Sequence, residues 1–256
     1  GDSLLSPSVT RRVIDRMAQQ PATETSYDER LGDLTPRERE VLAPLGRGGM
    51  GAVFRAVHVV SDKSVALKWM LRPASDAGAY QRFTREARAA GRIDHPNVVD
   101  VYDIGEDGEA AFLVMELLHG ESLRARLARG RLVPDTAVAL LLPAMRGVAA
   151  AHREGVIHRD LKPDNIFLCR GPDGAEREAK VVDFGISVIS APKDEAQSTL
   201  TQQGMLLGTP AYMSPEQLEC AHDADARADV YAFGVILYEA LTGCAPFHGS
   251  NYGALL

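Results

Sequence analysis

His158-Arg159-Asp160-Leu161-Lys162-Pro163-Asp164-Asn165 is followed, eighteen residues after its last member, by Asp183-Phe184-Gly185. Short apolar runs flank both groups. Val156-Ile157 leads into the first, Ile166-Phe167-Leu168 leaves it, and Val181-Val182 leads into the second, so each run reads as a strand. Polar side chains at strand ends are held firmly while the loops beside them can move. An amide and a carboxylate separated by a hairpin's length, Asn165 and Asp183, can converge on one hard cation, which prefers oxygen ligands. Asp160 can accept a proton from a hydroxyl nucleophile, and Lys162 two residues on can balance phosphate charge. That constellation suits phosphoryl transfer, where catalysis is mostly positioning and neutralisation of oxygen charge. Either group alone also fits a polar loop between two core strands. Both together, in this order and spacing, favour the chemistry.

Composition agrees with a soluble globular protein. The 256 residues are 45% hydrophobic and 25% charged, enough to bury a full core. A formal net charge of −7 argues against nucleic acid as the main partner. No apolar run is long enough to span a bilayer, and Gly1-Asp2-Ser3 opens no signal peptide. Cys169, Cys220 and Cys244 are scattered and odd in number, which suits reduced thiols in the cytoplasm better than a disulfide framework or a zinc site.

The two opening motifs resemble the catalytic loop and metal-binding motif of protein kinases, in their bacterial serine/threonine form. The resemblance implies an α+β, two-lobe fold with ATP and magnesium bound between a small β-rich lobe and a larger helical one. It implies that Asp160 is the catalytic base, that Asn165 and Asp183 hold Mg2+, and that Lys162 contacts the transferring phosphate. The expected reaction moves the γ-phosphoryl group of ATP to serine or threonine hydroxyls of protein substrates, including the chain's own loop. A nucleotide-binding scaffold without catalysis is the first alternative, and a DNA-binding response regulator, resting only on residues 1–42, is the second.

The rest of the chain fits the resemblance in order. Leu45-Gly46-Arg47-Gly48-Gly49-Met50-Gly51-Ala52-Val53 has the kinase glycine-loop spacing. Its glycines let backbone amides approach phosphate oxygens, although a flexible hairpin turn fits the pattern too. Val65-Ala66-Leu67-Lys68 reads as a strand ending in a lysine, which resembles the lysine contacting the α- and β-phosphates. Residues 79–92 carry a helical pattern, in which Glu86 matches the glutamate that pairs with that lysine; a surface pair with Arg82 is the other reading. Strands are expected at Val98–Tyr102 and Ala111–Met115. Met115 then matches the gatekeeper, Glu116-Leu117-Leu118 the adenine-binding hinge, and Phe167 the apolar floor under adenine. Gly120-Glu121-Ser122 is expected to open an amphipathic helix whose Arg124, Arg126, Arg129 and Arg131 form a solvated face. Residues 135–154 form a long helix leading to the catalytic loop, with a kink at Pro143.

Residues 185–216 are rich in hydroxyls, among them Ser198, Thr199, Thr201 and Thr209. Phosphate there could order the loop by pairing with Arg159, the family's usual phosphate receiver. Asp229 opens an apolar helix, as the residue anchoring the catalytic loop or as a plain N-cap. Family members continue for several helices past the counterpart of Leu256, so the resemblance implies an incomplete C-lobe.

Residues 1–40 read differently, as a helical leader and linker. Ser6-Pro7 starts a helix with Val9, Val13, Ile14 and Met17 on one face, and Thr35, Pro36 and Glu38 form a capping box. These segments resemble the closing helix of a response-regulator receiver and the opening helix of its DNA-binding domain. A leader with no separate function is the equal alternative, and no recognition helix follows. The expected organisation is therefore a leader at 1–40 and a kinase domain at 41–256, with lobes at about 41–115 and about 119–256.

Overall fold

A computed structural model describes residues 42–48, 51–57, 62–71, 87–107, 110–171, 174, 176–184, 210–219 and 224–247. The expected leader helices, Glu86, the hydroxyls at 198–209 and Cys220 lie outside the described residues. The chain divides into two compact units, one holding residues 1–84 and 100–117, the other 85–99 and 118–256.

Alternation builds the first unit. Strands β1 (Leu42–Gly48), β2 (Gly51–Val57), β3 (Ser64–Leu71), β4 (Val101–Asp107) and β5 (Ala110–Glu116) form one antiparallel sheet in the order β1-β2-β3-β5-β4. Every second side chain of β2 is buried, Ala52, Phe54 and Ala56, with Arg55 exposed between them. Their partners on the same face are Val65, Leu67 and Trp69 of β3 and Phe112 and Val114 of β5. Trp69 stacks on Phe112 at 6.2 Å between ring centres. Strand β3 is central and buried at every position from Val65 to Trp69, so Ala66 and Lys68 are buried on its opposite face. Pro44 sits on edge strand β1, where a missing N–H is tolerated, and the register shifts between Pro44 and Gly46.

The second unit is built on helices. α1 (Leu123–Leu127), α2 (Pro134–Arg153), α3 (Pro215–Glu219) and α4 (Ala226–Thr242) accompany a three-stranded sheet of β6 (Gly120–Ser122), β7 (Ile166–Arg170) and β8 (Glu176–Val181). Leu141, Ala144, Val148 and Ala151 recur at helical spacing on α2 and join Ile166, Val181, Phe233 and Ile236 in the core. α2 runs unbroken through Pro143. Gly147 permits close packing beneath it, since a Cβ there would lie 2.6 Å from the Asn97 carbonyl oxygen. α4 is capped by Asp225 at its start and by Gly243, at φ 87°, at its end.

Four expectations fail locally. The strand expected at Val98–Tyr102 starts only at Val101. Residues 97–99 instead serve the second unit, with Val181 N donating to Asn97 O and Val99 N to Val181 O. Gly120–Ser122 is a strand and opens no helix. Gly120 has φ 145°, and a Cβ on it would lie 2.0 Å from Leu168 O; the helix starts after Ser122, whose hydroxyl accepts from Ala125 N. Val156-Ile157 pairs with no strand among the described residues, and α4 begins at Ala226, so Asp229 sits in its first turn with Asp225 as the N-cap. On α4, Val230 is 67% exposed and Tyr238 46%.

Candidate active site

The loop from His158 to Asn165 joins α2 to β7, and its backbone is held from beneath by one carboxylate. Asp229, 1% exposed, accepts from His158 N through Oδ2 and from Arg159 N through Oδ1, each at 2.9 Å. His152 Nε2 of α2 lies 2.7 Å from the same Oδ2. A buried carboxylate needs such donors, and here two of the three are the loop's own amides. His158 is fully buried, with Nε2 2.9 Å from Val182 O and its ring 4.8 Å from that of Phe184. The imidazole thus ties the first motif to the second.

On this base the polar groups gather. Lys162 Nζ donates to Asp160 Oδ2 at 2.8 Å, and Asn165 Nδ2 donates to Asp160 O at 2.7 Å. That bond uses the amide nitrogen of Asn165 and leaves its oxygen as the group offered to a cation. Val182 N donates to Asn165 O at 3.0 Å, while Ile166 pairs with Val181 across β7 and β8, so Asn165 and Asp183 stand at neighbouring strand ends. An amide oxygen and a carboxylate are hard donors that fit magnesium, which takes one or two protein ligands and fills its shell with water and phosphate. Among the described residues no group of three or more His, Cys, Asp or Glu side chains could hold a metal. Phe167 is half-buried on β7, opposite Ser122 and Lys180, and Leu118 is half-buried before β6.

The first unit carries the remaining expected residues. Gly46 pairs with Val53 and Gly48 with Gly51 across the β1–β2 turn, and Leu45 is 53% exposed. Val53 pairs with Lys68, and Ala66 with Met115, so neighbouring strands present these side chains side by side. Glu116, half-buried, ends β5 with its N–H on Asp100 O.

Arg124 is not part of a solvated face. Its guanidinium donates to Asp164 Oδ2 at 3.2 Å, to Glu239 Oε1 at 2.7 Å and to the Tyr212 hydroxyl, which in turn donates to Glu239 Oε2. Burial pushes the Tyr212 phenol up to about 12, with the bond to Glu239 adding to the rise and Arg124 opposing it. Burial works against the charge on Arg124, and the bonds to Tyr212 and Glu239 outweigh it, raising the guanidinium above its ordinary value. Arg129 stays exposed as expected and donates to Glu121, which Arg170 also contacts at 2.8 Å, so that carboxyl is held below its usual range. Arg159 is half-buried, and its Nε has no hydrogen-bond partner among the described residues. Sequence reasoning passed over His152, Tyr212 and Glu239, whose partners lie 77, 88 and 115 positions from them.

These features are those of a phosphotransferase fold, and a family model described as the protein kinase domain matches residues 39–254. The chain belongs to that family, and its fold is the α+β protein-kinase fold. It is similar to the serine/threonine-protein kinase pkn2 of Myxococcus xanthus, 44% identical over 210 residues, 82% of this chain and 25% of that protein. It is similar to PknL of Mycobacterium bovis, 45% identical over 213 residues, 82% and 51% of the two chains. PknH of the same organism is 42% identical over 214 residues, 83% and 34%. The chain therefore spans from a quarter to about half the length of these relatives. The family model leaves residues 1–38 unmatched, and the likeness of that segment to response regulators gains no support.

Proposed function

We propose that this chain is the catalytic domain of a serine/threonine protein kinase, transferring the γ-phosphoryl group of ATP to serine or threonine hydroxyls of proteins. The observation that carries the reading is the Asp160 carboxylate. It is held by Lys162, its own carbonyl is held by Asn165, and its loop is pinned by a buried Asp229. Asp160 accepts the hydroxyl proton as the acceptor oxygen attacks, and Lys162 offsets charge on the phosphoryl oxygens. Asn165 and Asp183 hold magnesium, which neutralises phosphate oxygens when bound. Gly46, Gly48, Gly51 and Lys68 serve the phosphates; Leu45, Val53, Ala66, Met115, Glu116, Leu118 and Phe167 serve the base and ribose. Glu86 is assigned to Lys68 by its place in the motif order alone.

The Arg159 Nε, without an acceptor among the described residues, supports regulation by phosphate, because a buried guanidinium N–H calls for one. Ser198, Thr199 and Thr201 are the proposed donors of that phosphate, with Thr209 closing the same segment. Among the described residues no helix is long and apolar enough to cross a membrane. A domain that uses ATP and protein substrates is proposed to act in the cytoplasm.

Purified chain with ATP and magnesium should phosphorylate itself or a generic basic protein on serine or threonine. Asp160→Asn should lower turnover by about 10²–10⁴-fold with nucleotide affinity little changed. Asp183→Asn should abolish transfer by weakening metal binding. Nucleotide binding without any transfer in the unmodified chain would establish the scaffold alternative instead.

A further inference from the structure

Arg159 has φ 64°, a left-handed conformation that L-residues other than Asn and Asp rarely adopt. Such a residue keeps its shape only if the peptide planes on both sides are held, since φ turns one plane and ψ the other. Asp229 Oδ1 holds the plane before it through Arg159 N at 2.9 Å. The plane after it, which Arg159 O shares with Asp160 N, is held at the nitrogen by Asp160 N donating to His158 O at 2.9 Å and at the oxygen by the side chain of Gln217, whose Nε2 donates to Arg159 O at 2.7 Å.

Gln217 has a second task. Ser214-Pro215-Glu216-Gln217 has the pattern of a capping box at the start of α3, and Ser214 N donates to Gln217 Oε1 at 3.2 Å. The orientation of the amide follows from its neighbours. Arg159 O can only accept and Ser214 N can only donate, so nitrogen must face the first and oxygen the second. A glutamate would complete the capping box equally well but would have no hydrogen for Arg159.

We infer that Gln217 is a positioning residue for the reaction, using its amide N–H to fix the Arg159–Asp160 peptide and so aim the carboxylate of Asp160. The inference rests on the kinase reading. It concerns glutamine specifically and not the capping residue in general.

The test uses the full chain and compares Gln217→Glu with Gln217→Ala. Gln217→Glu keeps the capping acceptor and loses the donor. Its kcat should fall about fivefold to tenfold, the weight of one buried hydrogen bond, with KM for ATP within about twofold. Its melting temperature should stay close to that of the unmodified chain. Gln217→Ala should lose the same turnover and melt lower, because the capping box goes too. Amide hydrogen exchange gives a readout independent of activity: exchange at Asp160 should quicken in Gln217→Glu, while the amides of α3 keep their protection. Unchanged kcat and unchanged exchange in Gln217→Glu would overturn the inference. Should that variant fail to fold, Gln217→Met is used, and exchange must then quicken at Asp160 beyond any change in α3. An unmodified chain that transfers no phosphate would sink the kinase reading, and the exchange comparison would still decide whether Gln217 holds the peptide.

Discussion

At Asp229 one buried carboxylate takes the amides of His158 and Arg159 and faces the imidazole of His152. Asp229→Ala would strand two backbone donors away from water, so it should destabilise the second unit by about 2–4 kcal/mol, read as a lower urea midpoint at unchanged slope. Asp229→Asn, retaining one acceptor oxygen, should lose less. By contrast Asp160, half-buried and paired with Lys162, should be replaceable with little effect on that midpoint. The sequence made Asp160, Lys162, Asn165 and Asp183 legible because their chemistry is packed into two short motifs. Arg124 was misread for the opposite reason. Its helix pattern is that of a surface residue, and only the fold brings Glu239, 115 positions away, beside it.

Among the elements, α2 and the Asn97 backbone are packed so closely that one methyl group matters. Glycine to alanine inside a helix ordinarily stabilises by about 1 kcal/mol. Gly147→Ala should do the reverse, destabilising by about 1–3 kcal/mol, because its Cβ would meet the Asn97 carbonyl oxygen at 2.6 Å. Thermal melts of the two forms check the sign. The ties among α1, the Pro210–Tyr212 turn and α4 give a pH dependence. The Tyr212 phenol, raised from 10.0 to about 12, contributes stability that is fully present below pH 10 and lost as the pH rises through 12. Urea unfolding should therefore show a decline of the order of 1–2 kcal/mol across that window that Tyr212→Phe lacks. Sheet order and the long helices could be read from alternation and helical spacing. Gly120–Ser122 could not, because what makes it a strand is the approach of Leu168 from β7, which local pattern does not carry.

For the molecule as a whole, the two units have separate cores, one of strands around Trp69 and one of helices around Leu141, Ile166 and Ile236. The chain's one tryptophan is Trp69, 2% exposed, so its fluorescence reports the first unit alone. Ellipticity at 222 nm reports mainly the second. Denaturation followed by the two probes should give midpoints that do not coincide, whereas coincident curves would show a single cooperative transition.

Arg159 and Asp183 both sit at positive φ, 64° and 65°, in a region roughly 1–2 kcal/mol uphill for arginine and less so for aspartate. Asparagine or glycine would relax either position at once. Sequence optimisation aimed only at heat resistance is thus drawn toward two codons that, on the proposed reading, encode the phosphate receiver and a magnesium ligand. On that reading a hardier protein obtained that way would be an idle one, and thermostabilisation of this domain has to leave both residues as they are.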